Sequence, residues 1–144
     1  ELEPAIACWF REYGGAAARR AAAAERSGRA RIVIADVADV LEARAQRWDV
    51  IALDTDNGPE WLVREENAAL YAPIGLRRVR GALRPGGVAV FWSPERSSAF
   101  EHDLAAVFGR MEVESAVDVI DGRTLDYTMY VVRRPDGDAV RGAG

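Results

Sequence analysis

The sequence contains no lysine, one cysteine and one histidine. A lone thiol, Cys8, cannot close an internal disulfide, and with no second cysteine and a single imidazole no zinc-binding set of thiolates and imidazoles can assemble. Neither a metal nor redox chemistry is expected. No run of about 18 uncharged apolar residues is present, so no membrane span is expected. The N-terminus also lacks the charged-then-apolar order of a secretory signal, which leaves the cytoplasm as the default location. All 19 cationic side chains are arginine and the net charge is −4 at pH 7. An acidic balance of that kind disfavours a general polyanion surface, so nucleic acid is not an expected partner.

What is present is a chain of 144 residues, 49% of them hydrophobic, enough for one domain with a real core. Strand and helix patterns alternate along it. "PAIACWFREYGG" opens with Pro4 in a first-turn position, places Ile6, Trp9, Phe10 and Tyr13 on one face and stops at Gly14-Gly15. "AAARRAAAAERSG" has high helix propensity but almost nothing large to bury, which predicts a peripheral helix. "RIVIAD" reads as an apolar strand ending on Asp36, which can cap a helix over "VADVLEARAQ". "DVIALD" is a second such strand and ends on Asp54.

Beyond an acid-rich loop, "PIGLRRVRGAL" sets Leu76, Val79 and Leu83 on one stripe, "RPGG" reads as a stop and turn, and "VAVFW" as a third apolar strand. Ser98 to Glu101 has capping-box spacing ahead of a helix with Phe100, Leu104, Val107 and Phe108 inward. "MEVESAVDV", the turn "IDGR" and "DYTMYVV" form an antiparallel hairpin pattern, followed by a tail from residue 134 that is expected to be disordered. Apolar strands alternating with amphipathic helices predict an α/β fold with a mostly parallel sheet covered on both faces and an antiparallel edge. In such sheets ligands bind beyond the carboxyl ends of the strands, which is where Glu1, Glu3, Asp36, Asp54 and Asp56 fall.

"ELEP", "VIADVADVL", "WDVIALDTDNGP", "LYAPIGLRRVRGALRPGGVAVFWSP" and the closing hairpin together resemble the spermidine synthase-like (polyamine aminopropyltransferase) branch of the class I S-adenosylmethionine-dependent methyltransferase fold. The resemblance covers residues 1 to 133 and implies a Rossmann-like sheet of order 3-2-1-4-5-7-6. It also implies a nucleoside substrate, S-adenosylmethionine or its decarboxylated form, and an amine acceptor. Glu1 matches the acid that receives the ribose hydroxyls, and two hydroxyls suit the two oxygens of one carboxylate. Asp36, with the backbone of Val37, matches the adenine contact, and the same carboxylate can equally be a plain helix cap. Asp54 matches the carboxylate between sulfonium and attacking amine, where an anion accepts the proton and stabilises the cation.

Asp56 or Asn57 falls near the second acid of that loop, which in relatives helps hold the polyamine. "DTDNGP" departs from the usual Asp-Ser-Ser-Asp-Pro pattern by moving this acid closer and adding a residue before the proline. Its Asx and Gly residues also suit a simple turn. Trp61 and Tyr71 can line a substrate entrance or pack, whereas Trp9, Phe10, Trp48, Trp92 and Cys8 are expected to pack. His102 and the arginines at 77, 78, 80 and 84 are expected at the surface.

The strand and glycine-rich turn that open this fold are missing ahead of Glu1, so the chain reads as N-terminally truncated, with half a nucleoside site. Three functions fit these features. The first is an aminopropyltransferase, the second a non-catalytic scaffold or oligomerisation module, and the third a small-molecule or protein methyltransferase. A homo-oligomer is expected, because removing the first strands leaves "RIVIA" and "VIALD" with bare edges.

Overall fold

The computed structural model describes residues 1–43, 45–55, 58–62, 64–120 and 122–136. Asp56, Asn57 and the last eight residues of the expected tail lie outside the described residues. The chain divides into two compact units, Glu1–Ala43 and Arg44–Gly144.

In the first unit, helix α1 (Pro4–Tyr13) starts on its proline, and Gly15, at a φ of 55°, lets α2 (Gly15–Arg26) set off in a new direction. The apolar face expected of α1 is largely open: Trp9 is 57% exposed, Ile6 and Tyr13 are exposed as well, and only Phe10 is half-buried. Cys8, expected inside, is also exposed. Ala7 and Ala18 are the buried residues of these two helices, so what each helix buries is small. "RIVIAD" is extended but is not a sheet strand. Its one backbone partner among the described residues is Glu1, whose amino group donates to Val33 O (3.2 Å) and whose carbonyl accepts from Ala35 N (3.0 Å), while Ile32 N donates to the Glu25 carboxylate (3.2 Å). The two Glu1 bonds straddle Ile34 as in a parallel ladder. A strand needs a partner of several residues, and one residue cannot supply it. Helix α3 (Val37–Glu42) follows, capped by Asp36, and buries Leu41.

The second unit is a four-stranded sheet of order β1-β2-β4-β3, built from β1 (Trp48–Leu53), β2 (Leu83–Ser93), β3 (Met111–Ile120) and β4 (Arg123–Arg133). β1 and β2 are parallel, while β2–β4 and β3–β4 are antiparallel. This is the 4-5-7-6 part of the expected order. Burial alternates along the strands: Ile51, Leu53, Ala89, Phe91, Tyr130 and Val132 are buried beneath α4 (Ala68–Tyr71), α5 (Pro73–Ala82) and α6 (Ser98–Phe108). Cover on both faces was expected, but within this unit the helices serve one. Val88, Val90, Trp92, Met129 and Val131 on the other face stay half-buried, and Val50 is 61% exposed.

The core is set by Leu76, Val79, Leu83 and Leu104, all fully buried, each contributing about 1.5–3 kcal/mol of apolar burial. "RPGG" is not a turn between elements but an irregularity inside β2. The register jumps from Trp48↔Leu83 to Val50↔Val88, with Gly86 at a φ of 75°. Gly86 N donates to Arg134 O (2.9 Å) and Arg134 N to Gly87 O (2.8 Å), so Arg134, first residue of the expected tail, is held. Its buried guanidinium donates from Nη1 to Leu83 O at 2.7 Å and to Arg80 O and Gly81 O at 3.3 Å, where the carbonyls at the end of α5 attract a cation. Arg84 spans Asp49 with two 2.9 Å bonds. No helix among the described residues is long and apolar enough to cross a membrane.

Candidate functional site

Asp54 stands immediately beyond the carboxyl end of β1 and is exposed to solvent. The apolar strand answers to the core through Ile51 and Leu53; once the chain passes the last ladder residue, a carboxylate is no longer buried and keeps its hydration. Asp54 is therefore a rim residue on a buried strand. Trp61, seven residues on, is 60% exposed and free to offer a ring face.

Tyr71 is placed differently from an entrance residue. It is 5% exposed and packs edge-on against Phe100 at 5.7 Å; Phe100 also meets Phe91 (5.4 Å) and Tyr130 (5.3 Å) in edge geometry. Only its hydroxyl reaches the rim, 3.1 Å from Thr55 Oγ1, the residue after Asp54. Tyr71 thus steadies the start of the loop from within the core.

Farther along, Gly58 has a φ of 88° and lies so close to Ser93 that a Cβ would collide with its Oγ. Ser93 Oγ in turn donates to Glu95 O at 2.6 Å. Glu60 Oε1 accepts from Ser97 Oγ at 2.5 Å, and Ser97 Oγ accepts from Phe100 N (3.2 Å) as the cap of α6. The cap falls one residue before the expected Ser98. Ser97 N donates to Tyr130 Oη at 2.7 Å. Burial pushes the Tyr130 phenol above its ordinary range, opposed by that amide bond, so it keeps its proton at neutral pH. The expected box partner Glu101 pairs with Arg96 instead, and that hydrogen bond holds its carboxyl below the usual carboxylate range.

The sequence pointed to Asp54, Trp61 and Tyr71 but missed Thr55, Glu60, Ser93, Ser97 and Tyr130. The hydroxyl of Thr55 beside the strand-final acid was the available signal; the pairing of Glu60 with a serine 37 positions away had none.

In the other unit, Glu1, Asp36 and Val37 are brought together by the pairing of Glu1 with the segment that leads into α3. Both carboxylates are exposed and each already accepts a local amide. Glu1 Oε1 receives Glu3 N at 2.9 Å, and Asp36 Oδ1 receives Ala38 N at 2.8 Å. Asp36 is a helix cap in this structure. Each carboxylate retains lone pairs for further donors.

No protein-family profile and no curated protein matches the chain. Among solved structures, the chain is similar to spermidine synthase from Thermotoga maritima, with 17% identity and a TM-score of 0.62 over 93% of this chain and 42% of that one. It is similar also to a spermidine synthase in complex with the transition state analogue AdoDATO, with 17% identity and a TM-score of 0.60 over 93% of this chain and 43% of that one. The chain thus spans less than half the length of either. At this identity the likeness establishes the fold: an α/β, Rossmann-like methyltransferase architecture of the spermidine synthase-like kind, represented by part of its sheet.

Proposed function

We propose that this chain is part of a spermidine synthase-like aminopropyltransferase, with Asp54 as its catalytic carboxylate. The observation that carries the proposal is the exposed Asp54 at the carboxyl end of a parallel strand, followed by Thr55 and Glu60, each hydrogen-bonded to a neighbouring element. The nucleoside substrate is decarboxylated S-adenosylmethionine, with S-adenosylmethionine as the other candidate of the same shape, and the acceptor is an amine.

In the reaction the amine nitrogen bonds to the aminopropyl carbon beside the sulfonium. The carbon–sulfur bond breaks, its electron pair neutralises sulfur, and methylthioadenosine leaves. Asp54 takes the proton that the nitrogen sheds and stabilises the cation before transfer. Glu1 receives the ribose hydroxyls, while Asp36 and the Val37 backbone face the adenine. Trp61, Asp56 and Asn57 hold the acceptor chain, and Tyr71 acts through Thr55.

A non-catalytic scaffold is the second reading. It is favoured by one feature: Glu1 and Asp36 are each already engaged by a neighbouring amide, Asp36 as the cap of α3. Methylthioadenosine release from decarboxylated S-adenosylmethionine, assayed with a set of short diamines, separates the two. Amine-dependent release supports the transferase, and its absence together with absent nucleoside binding supports the scaffold.

A further inference from the structure

Thr55 and Glu60 are each fastened by a hydroxyl group that the reaction above does not use. Thr55 meets Tyr71 and Glu60 meets Ser97, and the two anchoring residues belong to the cluster of rings around Phe100 or cap the helix that carries it. Ser97 is the residue on which most of this depends. A hydroxyl has one proton to give and two lone pairs, and here it gives the proton to Glu60 and accepts the Phe100 amide, while its own backbone N–H is spent on Tyr130. The Glu60 carboxylate therefore sits at the N-terminal end of an 11-residue helix, where the peptide dipoles favour an anion. Alanine at 97 would supply neither function, aspartate could cap but not donate, and threonine could do both.

We propose that Ser97 is a positioning residue: by holding Glu60 it fixes the described stretch around it, residues 58–62, which carries Trp61. The consequence for turnover rests on the transferase reading, whereas the fastening itself does not. Helix capping alone is the competing role, and Ser97→Asp separates the two because aspartate caps well yet cannot donate to Glu60 and repels it.

Hydrogen exchange on the full chain is the test, following the amides of Gly58, Glu60 and Trp61 beside those of α6. In Ser97→Asp and in Glu60→Ala the loop amides should exchange at least about tenfold faster, the effect of losing one charge-assisted bond against local opening. The α6 amides should keep their protection in Ser97→Asp, and Ser97→Thr should restore slow loop exchange. Unchanged loop exchange in both Ser97→Asp and Glu60→Ala overturns the proposal, as does loss of α6 protection in step with the loop. In the transferase assay Ser97→Asp should lower kcat and Ser97→Thr recover it. A loosened loop in a protein with no transferase activity leaves the fastening standing and overturns the transferase reading alone.

Discussion

At the scale of single residues, two carboxylates stand in opposite settings. Asp54 is kept open to solvent at a strand end, and Asp54→Asn should cut turnover by about 10²–10⁴-fold, the usual worth of a positioned base, while nucleoside binding persists. Steady-state kinetics beside calorimetry checks this, and an unchanged rate removes Asp54 from the mechanism. Glu101 is instead spent on structure. Its carboxyl is lowered by the hydrogen bond from Arg96, against partial desolvation and with help from the guanidinium charge. Because the folded value lies below the unfolded one, the pair's contribution is complete above the unfolded glutamate value of about 4.3 and is lost as pH falls through the folded value. Glu101→Gln should therefore lower the urea midpoint at pH 7 and lose that deficit relative to wild type on acidification below about pH 4. A deficit that persists undiminished in acid would place the effect in packing rather than in charge.

Elements form where the chain carries its own instructions. Gly58→Ala should destabilise the protein by about 1–3 kcal/mol, since a φ of 88° is strained for alanine and the new methyl meets Ser93; the denaturant midpoint reads it directly. A comparable experiment inside α5, Leu76→Ala, should cost about 2–5 kcal/mol, as the side chain is fully buried. That helix and α6 were legible in the sequence because Leu76, Val79, Phe100 and Leu104 repeat at helical spacing and the core takes up the same face. The closing hairpin was legible through its Asp-Gly turn and alternation. "RIVIAD" was misread for a physical reason: an apolar run states that a segment suits a sheet, and whether it joins one depends on a neighbour whose residues lie elsewhere. Trp9 and Cys8 were misread similarly, since a helix periodicity identifies a face without supplying what covers it. At the candidate site Asp54 was visible as an acid ending an apolar strand, while the Glu60–Ser97 link arises only once the fold brings two distant loops together.

At the scale of the whole molecule, bare edges and the nucleoside carry the expectations. β1 has no neighbour on its outer side among the described residues, and Val33, Ile34 and Val50 are exposed. Unpaired apolar strand segments associate, so the 144-residue chain should self-associate in light scattering; a monomer that melts cooperatively at high concentration would contradict this. Calorimetry with methylthioadenosine should find binding that Glu1→Gln weakens by about 1–3 kcal/mol, the cost of removing a charged acceptor.

How such melts are followed is itself decided by where the chromophores sit. None of the four tryptophans is buried: Trp9 and Trp61 are exposed, and Trp48 and Trp92 are half-covered. Their emission already comes from indoles in contact with water, and unfolding changes that contact little. Tyr71 and Tyr130, locked edge-on around Phe100, are the asymmetric absorbers of the interior. The near-ultraviolet dichroism of tyrosine will report the loss of the core, whereas tryptophan fluorescence will report chiefly on the periphery.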